Sequence, residues 1–137
     1  MLASKEDLDH IINTLWDLLD KSPATQMKLC EPEVAIPALH QAIKEDRLLI
    51  YGDFAILVDV GSPWHTSKRI LIEEIIIRFR RVYGNTVESA IAQLEVIAKQ
   101  RGCVAVAAGD TQIGLMSDRY IAAGFQALGS QFYKEIP

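Results

Sequence analysis

The sequence predicts an α/β (α+β) fold, a mixed β-sheet with helices on both faces. Arg69–Phe79 is rich in isoleucine on both faces, which is typical of a central strand covered on both sides. An amphipathic helix over Val87–Gly102 separates this strand from a short apolar run, Cys103–Ala107. Such a strand–helix–strand crossover joins parallel strands. A chain of 137 residues, half of them hydrophobic, fits one domain over residues 1–137.

Two helices are expected before the sheet. Ser4 opens an S-x-x-D start signal, and apolar residues then recur at helical spacing from Leu8 to Leu19. Residues Ala24–Pro32 are predicted to be a loop. Pro37 suits the first turn of a second helix, which continues to about Asp46.

Turn residues between apolar runs place the other elements. Leu48–Tyr51 and Phe54–Val60 form a predicted β-hairpin around a Gly52–Asp53 turn. A helix is expected over Gln112–Ala123, where the following glycine stops it. Phe125–Ile136 supplies one bent strand or two short ones. The predicted order is therefore α-α-β-β-β-α-β-α-β.

Composition excludes several classes of function. The net charge is −4, without the general basic field of a nucleic-acid-binding domain. The two cysteines, Cys30 and Cys103, lie in no CxxC motif or histidine cluster, so we expect no metal site and reduced thiols. The N-terminus does not resemble a signal peptide, and no stretch has the roughly 20 apolar residues of a membrane span. These observations predict a cytoplasmic protein with no membrane partner.

The segment with the most chemical information is the turn that follows the isoleucine-rich strand. Gly84 lies in this turn, and an N-x-x-E start signal at Asn85 opens the next helix. Exposed amides and the helix dipole at such a junction attract phosphate, and Arg78, Arg80 and Arg81 add positive charge. A tight strand-to-helix connection with solvated arginines explains the same residues equally well.

Two motifs resemble one family. Arg81–Thr86 matches the pattern [Q/R]-x-x-G-x-[G/A] at Arg81 and Gly84, with Thr86 in place of the usual small residue. Arg119–Phe125 matches L-Y-x-x-x-G-F at the tyrosine, glycine and phenylalanine. These are motifs of the GNAT superfamily of N-acetyltransferases, which the chain resembles over nearly its whole length.

The start and end of the chain also resemble GNAT members. Ala3–Asp9 is similar to the entry of their first helix, and Gln131–Glu135 is similar to their last strand. The usual first strand is missing or reduced to residues 1–3. The resemblance implies a splayed GNAT-like sheet.

The resemblance also implies acetyl-coenzyme A as a co-substrate. In the family, pantetheine pairs with the free edge of the central strand, and turn amides hold the diphosphate. The positions that correspond to these contacts are Ile76, Ile77, Arg78, Arg81, Val82, Tyr83, Gly84, Asn85 and Thr86. Asp110–Thr111 lies where the family often contacts coenzyme A, although a helix cap explains this pair equally well.

Family chemistry is direct transfer of an acyl group from a thioester to an amine. Tyr120 corresponds to the family tyrosine near the sulfur and is the candidate acid for the leaving thiolate. Glu73 and Glu74 interrupt an apolar strand, point to opposite faces and are candidate bases. Strict alternation would put Glu73 on the face of Ile75 and Ile77. Ion pairing within the fold is the alternative reason for these carboxylates.

Two functions remain open at this point. The first is an acetyltransferase whose acceptor is a small-molecule amine or a protein amine, in a monomer or a homo-oligomer. The second is a non-catalytic GNAT-like structural or interaction module. Bacteriophages also encode GNAT-like proteins, some with a role in the particle, so the host cytoplasm or a virion is the expected location in that case.

Overall fold

The computed structural model describes residues 4–21, 31–109, 116–128, 134 and 136. The helices are α1 (Lys5–Lys21), α2 (Pro32–Lys44), α3 (Val87–Gln100) and α4 (Ser117–Ala122). The strands are β1 (Leu48–Tyr51), β2 (Phe54–Gly61), β3 (Ile70–Arg78) and β4 (Ala105–Ala107). None of the helices in these ranges is long and apolar enough to cross a membrane.

The start of α1 is confirmed. The Ser4 amide donates to the Asp7 carboxylate, and the Asp7 amide donates to the Ser4 hydroxyl, which satisfies two amides of the first turn. The predicted start of α2 is wrong. The helix begins at Pro32, which takes the first-turn position that suits proline, and Pro37 lies inside it. Most of the predicted loop, residues 22–30, and Cys30 with it, lies outside the described residues.

The four strands form one mixed sheet in the order β1-β2-β3-β4. β1 and β2 are the predicted hairpin, with Leu48 opposite Leu57 and Tyr51 opposite Phe54. β3 is antiparallel to β2 and parallel to β4, which confirms the crossover. The pairing of β3 with β4 extends only from Ile70 to Ile72. β4 itself is shorter and more exposed than predicted, because Ala105 and Ala107 are solvent-exposed.

A β-bulge interrupts the middle of β3. Leu57 lies opposite Ile75 and Val58 lies opposite Glu73, which leaves Glu74 as the extra residue of β3. Strict alternation therefore fails at this point. Glu73 shares a face with its partner Val58, and Ile75 and Ile77 lie on the other face. The prediction that Glu73 shares the face of Ile75 and Ile77 is wrong for this reason.

Each face of the sheet is covered by helices, as predicted. On one face, side chains of α3 and α4 pack on β2 and β3 around Ile56, Leu71 and Leu94. On the other face, α1 and α2 pack around Ile11 and Ile77. β3 contributes side chains to both clusters, which explains why both of its faces are apolar.

The C-terminal elements are only partly described. The described part of the predicted Gln112–Ala123 helix is α4, which ends before Gly124 at φ +94°. Residues 125–128 form no helix or strand. Asp110–Thr111 and most of the predicted final strand, including residues 131–133, lie outside the described residues.

Candidate functional site

The turn between β3 and α3 is folded around the carboxylate of Asp53, which belongs to the β1–β2 hairpin. The amides of Val82 and Gly84 donate to this carboxylate at 2.8 and 2.9 Å. The Tyr83 amide donates to both of its oxygens, at 3.0 and 3.2 Å. Asp53 has 0% of its surface exposed. Three consecutive amides thus point at one buried anion.

Local backbone geometry explains why these amides converge. Gly84 has φ +71°, a left-handed conformation that glycine adopts without steric cost. A turn in which successive N–H groups face inward forms an anion-binding concavity, often called a nest. Here the two-residue turn of the hairpin, Gly52–Asp53, inserts its acidic side chain into the nest.

Asn85 joins the same two turns with its side chain. Its Oδ1 accepts from the Asp53 amide at 2.9 Å, and its Nδ2 donates to the Tyr51 carbonyl at 3.1 Å. The N-x-x-E signal predicted that Asn85 caps α3. This prediction is wrong, because the Asn85 side chain bonds the hairpin. Thr86 is the cap instead, in a reciprocal pair of hydrogen bonds with Ser89.

The three arginines of the segment have different surroundings. Arg80 donates through Nε and Nη2 to the Gly52 carbonyl and pairs through Nη1 with Asp7 of α1 at 3.1 Å. The guanidinium of Arg78 lies 4.7 Å from the centre of the Phe54 ring. Arg81 is exposed and makes no ion pair within the described ranges. Of the three, Arg81 is the one for which the described part of the chain supplies neither an ion pair nor a ring contact.

The environment of Asp53 fixes its protonation state. Burial raises the pKa of the carboxyl, but the hydrogen bonds from the Val82, Tyr83 and Gly84 amides, together with the charge of Arg78, outweigh burial and hold the pKa below the ordinary aspartate value. Asp53 is consequently an anion at neutral pH.

The second part of the site lies where β3 and β4 separate. Their last pair is Ile72 with Ala107, and two residues later the Gly109 amide faces the Glu73 Oε2 at 3.4 Å. Glu73 is buried, with 7% of its surface exposed, whereas Glu74 at the bulge is exposed. Beyond Ile72, the edge of β3 that faces away from β2 pairs with no strand among the described residues.

Tyr120 lies on the same face of the sheet as Glu73. It is 7% exposed, packs in the core under α3 and makes an edge-on contact with Phe125 at 5.2 Å. Gly124 reverses the chain after α4, which lets the Phe125 amide donate to the Tyr120 carbonyl at 3.0 Å. The L-Y-x-x-x-G-F spacing thus builds a helix end on which two rings pack.

No protein-family model and no curated protein matches this sequence significantly. The structure, in contrast, is similar to solved acetyltransferases. A possible acetyltransferase from Clostridium difficile 630 superposes with a TM-score of 0.69 at 10% identity, over 100% of this chain and 95% of that one. A GNAT family acetyltransferase from Staphylococcus aureus subsp. aureus USA300_TCH1516 does so with a TM-score of 0.61 at 14% identity, over 99% and 96%. The chain has the GNAT acetyltransferase fold.

A third similar structure contains acetyl-CoA. It is a predicted acetyltransferase from Clostridium acetobutylicum with acetyl-CoA, at a TM-score of 0.63 and 14% identity, over 97% of this chain and 92% of that one. At these identities the likeness establishes the GNAT fold. The residues of this chain must therefore show whether coenzyme A fits.

Within this GNAT fold, the two parts of the site differ in their fit to coenzyme A. The edge of β3 along Ile76–Arg78 pairs with no strand among the described residues, and an unpaired strand edge is what an extended ligand such as pantetheine pairs with. The turn does not suit diphosphate. The amides of Val82 and Gly84 already donate to Asp53, and the Thr86 amide donates to Ser89. No buried side-chain nitrogen or oxygen of the described residues lacks a partner that an anion would have to supply.

The residue that sequence reasoning missed is Asp53. In the sequence it is an ordinary member of a Gly-Asp turn, and its partners lie 29, 30 and 31 positions later. The GNAT-type motif indicated where the nest is, but it gave no sign of which anion fills it.

Proposed function

We propose that the protein is a cytoplasmic N-acetyltransferase that uses acetyl-coenzyme A to acetylate a primary amine. The observation that carries this proposal is the GNAT fold over the whole chain, with β3 and β4 parting next to a buried carboxylate. Two features support acyl transfer from a thioester: the edge of β3 that pairs with no described strand, as a place for an extended thiol arm, and Tyr120 in the core cluster that includes Ile76, as a proton donor.

The proposed reaction is a direct attack of the amine on the thioester carbonyl. The new C–N bond forms as the C–S bond breaks. A base takes one proton from the amine nitrogen, and the phenol of Tyr120 gives a proton to the departing sulfur. Each proton transfer contributes roughly 10²–10⁴-fold to the rate.

Glu73 is the better base candidate of the two glutamates. It is buried on the face of the sheet that carries Tyr120, whereas Glu74 is exposed at the bulge. A carboxylate at the point where the strands separate can accept a proton from an amine that enters beside the thioester. The acceptor amine is a small molecule or a protein amine.

Titration calorimetry with acetyl-coenzyme A tests the proposal, followed by turnover with a panel of amines. We expect saturable binding of acetyl-coenzyme A. Tyr120→Phe should lower turnover by roughly 10-fold or more at nearly unchanged affinity, because the hydroxyl acts in the transition state. Tyr51→Phe, at a tyrosine of β1, is the matched control and should keep its turnover. Equal turnover of wild type and Tyr120→Phe would remove the catalytic role of the tyrosine.

One observation favours a second candidate, a GNAT-fold module without catalysis. The amides that would hold a diphosphate are bonded to Asp53. If calorimetry detects no heat with acetyl-coenzyme A or coenzyme A, the module replaces the enzyme as the better proposal.

A further inference from the structure

A carboxylate and two oxygens of a phosphate present the same chemistry to a set of converging amides. Both offer negative oxygens that accept charge-assisted hydrogen bonds. In this chain the nest formed by the amides of Val82, Tyr83 and Gly84 contains such a pair of oxygens, both from Asp53, within 2.8–3.2 Å. The anion of the nest is part of the protein.

The Asp53 carboxylate is fixed in the nest by its own backbone. Its amide donates to Asn85 Oδ1 at 2.9 Å, and its carbonyl accepts from the Phe79 amide at 3.0 Å. Arg80 holds the neighbouring carbonyl of Gly52, and its Nε lies 4.0 Å from Asp53 Oδ1. These contacts join the hairpin to the turn and, through Arg80 and Asp7, to α1, and they hold the Asp53 carboxylate in the nest.

A second anion cannot share the nest favourably. Each amide has one hydrogen, and all three are directed at Asp53. An incoming phosphate would also face a buried like charge, which is repelled more strongly where water is excluded. The existing acceptor and its charge therefore exclude a second anion from the nest.

We propose that Asp53 is a built-in replacement for the diphosphate of a nucleotide-type ligand and closes the turn at residues 82–84 to phosphate. The turn then serves to lock the hairpin onto β3 and α3. This inference concerns inorganic anions and the fold, and it holds whether or not the protein transfers acetyl groups.

The test compares thermal unfolding of wild type, Asp53→Ala and Asp59→Ala with added inorganic diphosphate or acetate, against sodium chloride at equal ionic strength. Asp59 is the matched control, because it is an exposed aspartate of β2, the strand that follows the Gly52–Asp53 turn. Wild type and Asp59→Ala should show the same Tm in diphosphate as in chloride. Asp53→Ala should unfold roughly 10 °C lower in chloride, because three amides lose their shared acceptor. Diphosphate or acetate should then recover several degrees of that loss by binding the emptied nest.

Two results would overturn the inference. One is a rise of the wild-type Tm in diphosphate beyond the chloride control, which would show that the nest accepts phosphate with Asp53 present. The other is an Asp53→Ala protein whose Tm is the same in diphosphate, acetate and chloride. If Asp53→Ala does not fold in chloride, recovery of folded protein on refolding with diphosphate supports the inference. Failure to recover it with either anion counts against it. A failure of acetyl-coenzyme A to bind affects neither result.

Discussion

At the turn after β3, the amides of Val82, Tyr83 and Gly84 all donate to one buried carboxylate, whereas beyond Ile72 one edge of β3 meets no strand in the described part of the chain. Under the proposed function, both regions would contact one ligand, acetyl-coenzyme A. In this chain, contacts within the protein already fill the first region and leave the second open. The difference indicates that the turn keeps an anion-binding shape while its amides are already bonded within the protein.

The largest expected effect is the loss of stability in acid that comes from the first region, the turn around Asp53. Because the folded pKa of Asp53 lies below the unfolded value, its contribution to stability is complete at neutral pH and is lost as the pH falls through the folded pKa. The Tm difference between wild type and Asp53→Ala should therefore stay constant above about pH 5 and shrink below about pH 4. Calorimetric scans across this range measure it. A difference that grows on acidification would contradict the assignment of an ionised carboxylate.

Adjacent arginines test which charges hold the turn. Arg80→Ala should cost about 1–3 kcal/mol of unfolding free energy, because the partly buried guanidinium bonds the Gly52 carbonyl and Asp7. Arg81→Ala should stay within about 0.5 kcal/mol of wild type and weaken coenzyme A binding in a salt-dependent way. Urea unfolding and calorimetry at two salt concentrations measure both effects. Equal losses of stability in the two variants would mean that the Arg80 contacts contribute nothing specific.

Adjacent glutamates test the open region. Glu73→Ala should cost about 1–2 kcal/mol, because it removes a buried acceptor for the Gly109 amide, and should lower turnover. Glu74→Ala should change stability by less than about 0.5 kcal/mol, since its side chain is exposed. Denaturant unfolding and rate measurements at saturating acetyl-coenzyme A give both quantities. A larger loss of turnover in Glu74→Ala would move the base to the bulge.

A pair of glycines gives the smallest expected effect. Gly84→Ala should cost about 1 kcal/mol from its φ of +71° alone, because an added Cβ meets nothing within 4 Å. Gly109→Ala, at a glycine without positive φ and with equal space, should be nearly neutral. The two free energies of unfolding decide this prediction. If Gly84→Ala had the same free energy of unfolding as wild type, the turn would not depend on the left-handed backbone of residue 84.

Local patterns were sufficient for most of the fold. The hairpin around Gly52–Asp53 and the parallel crossover from β3 to β4 follow from turn residues and apolar spacing. The start of α2 was predicted wrongly because proline suits the first turn of a helix at Pro32 and at Pro37 alike. The local sequence does not distinguish the two positions, and the helix begins at Pro32. The bulge at Glu74 has no local signature, so the faces of β3 beyond it were assigned wrongly.

The site was less predictable than the fold. The resemblance located the turn and Tyr120, because glycine and aromatic spacings there are local. The Asp53 contacts join positions about 30 residues apart in the chain. The Asn85 side chain likewise bonds the hairpin instead of capping α3. No short-range pattern encodes such pairings, since they depend on how the hairpin is placed against the turn.

The most direct test of the central claim follows the amide signals of Val82, Tyr83 and Gly84 by ¹H–¹⁵N NMR during titration of wild type with inorganic diphosphate at neutral pH. A filled nest predicts that these three signals do not move with diphosphate, and that they shift together only when acid protonates Asp53. Saturable movement of the three signals with diphosphate at neutral pH would show an open phosphate site and contradict the account.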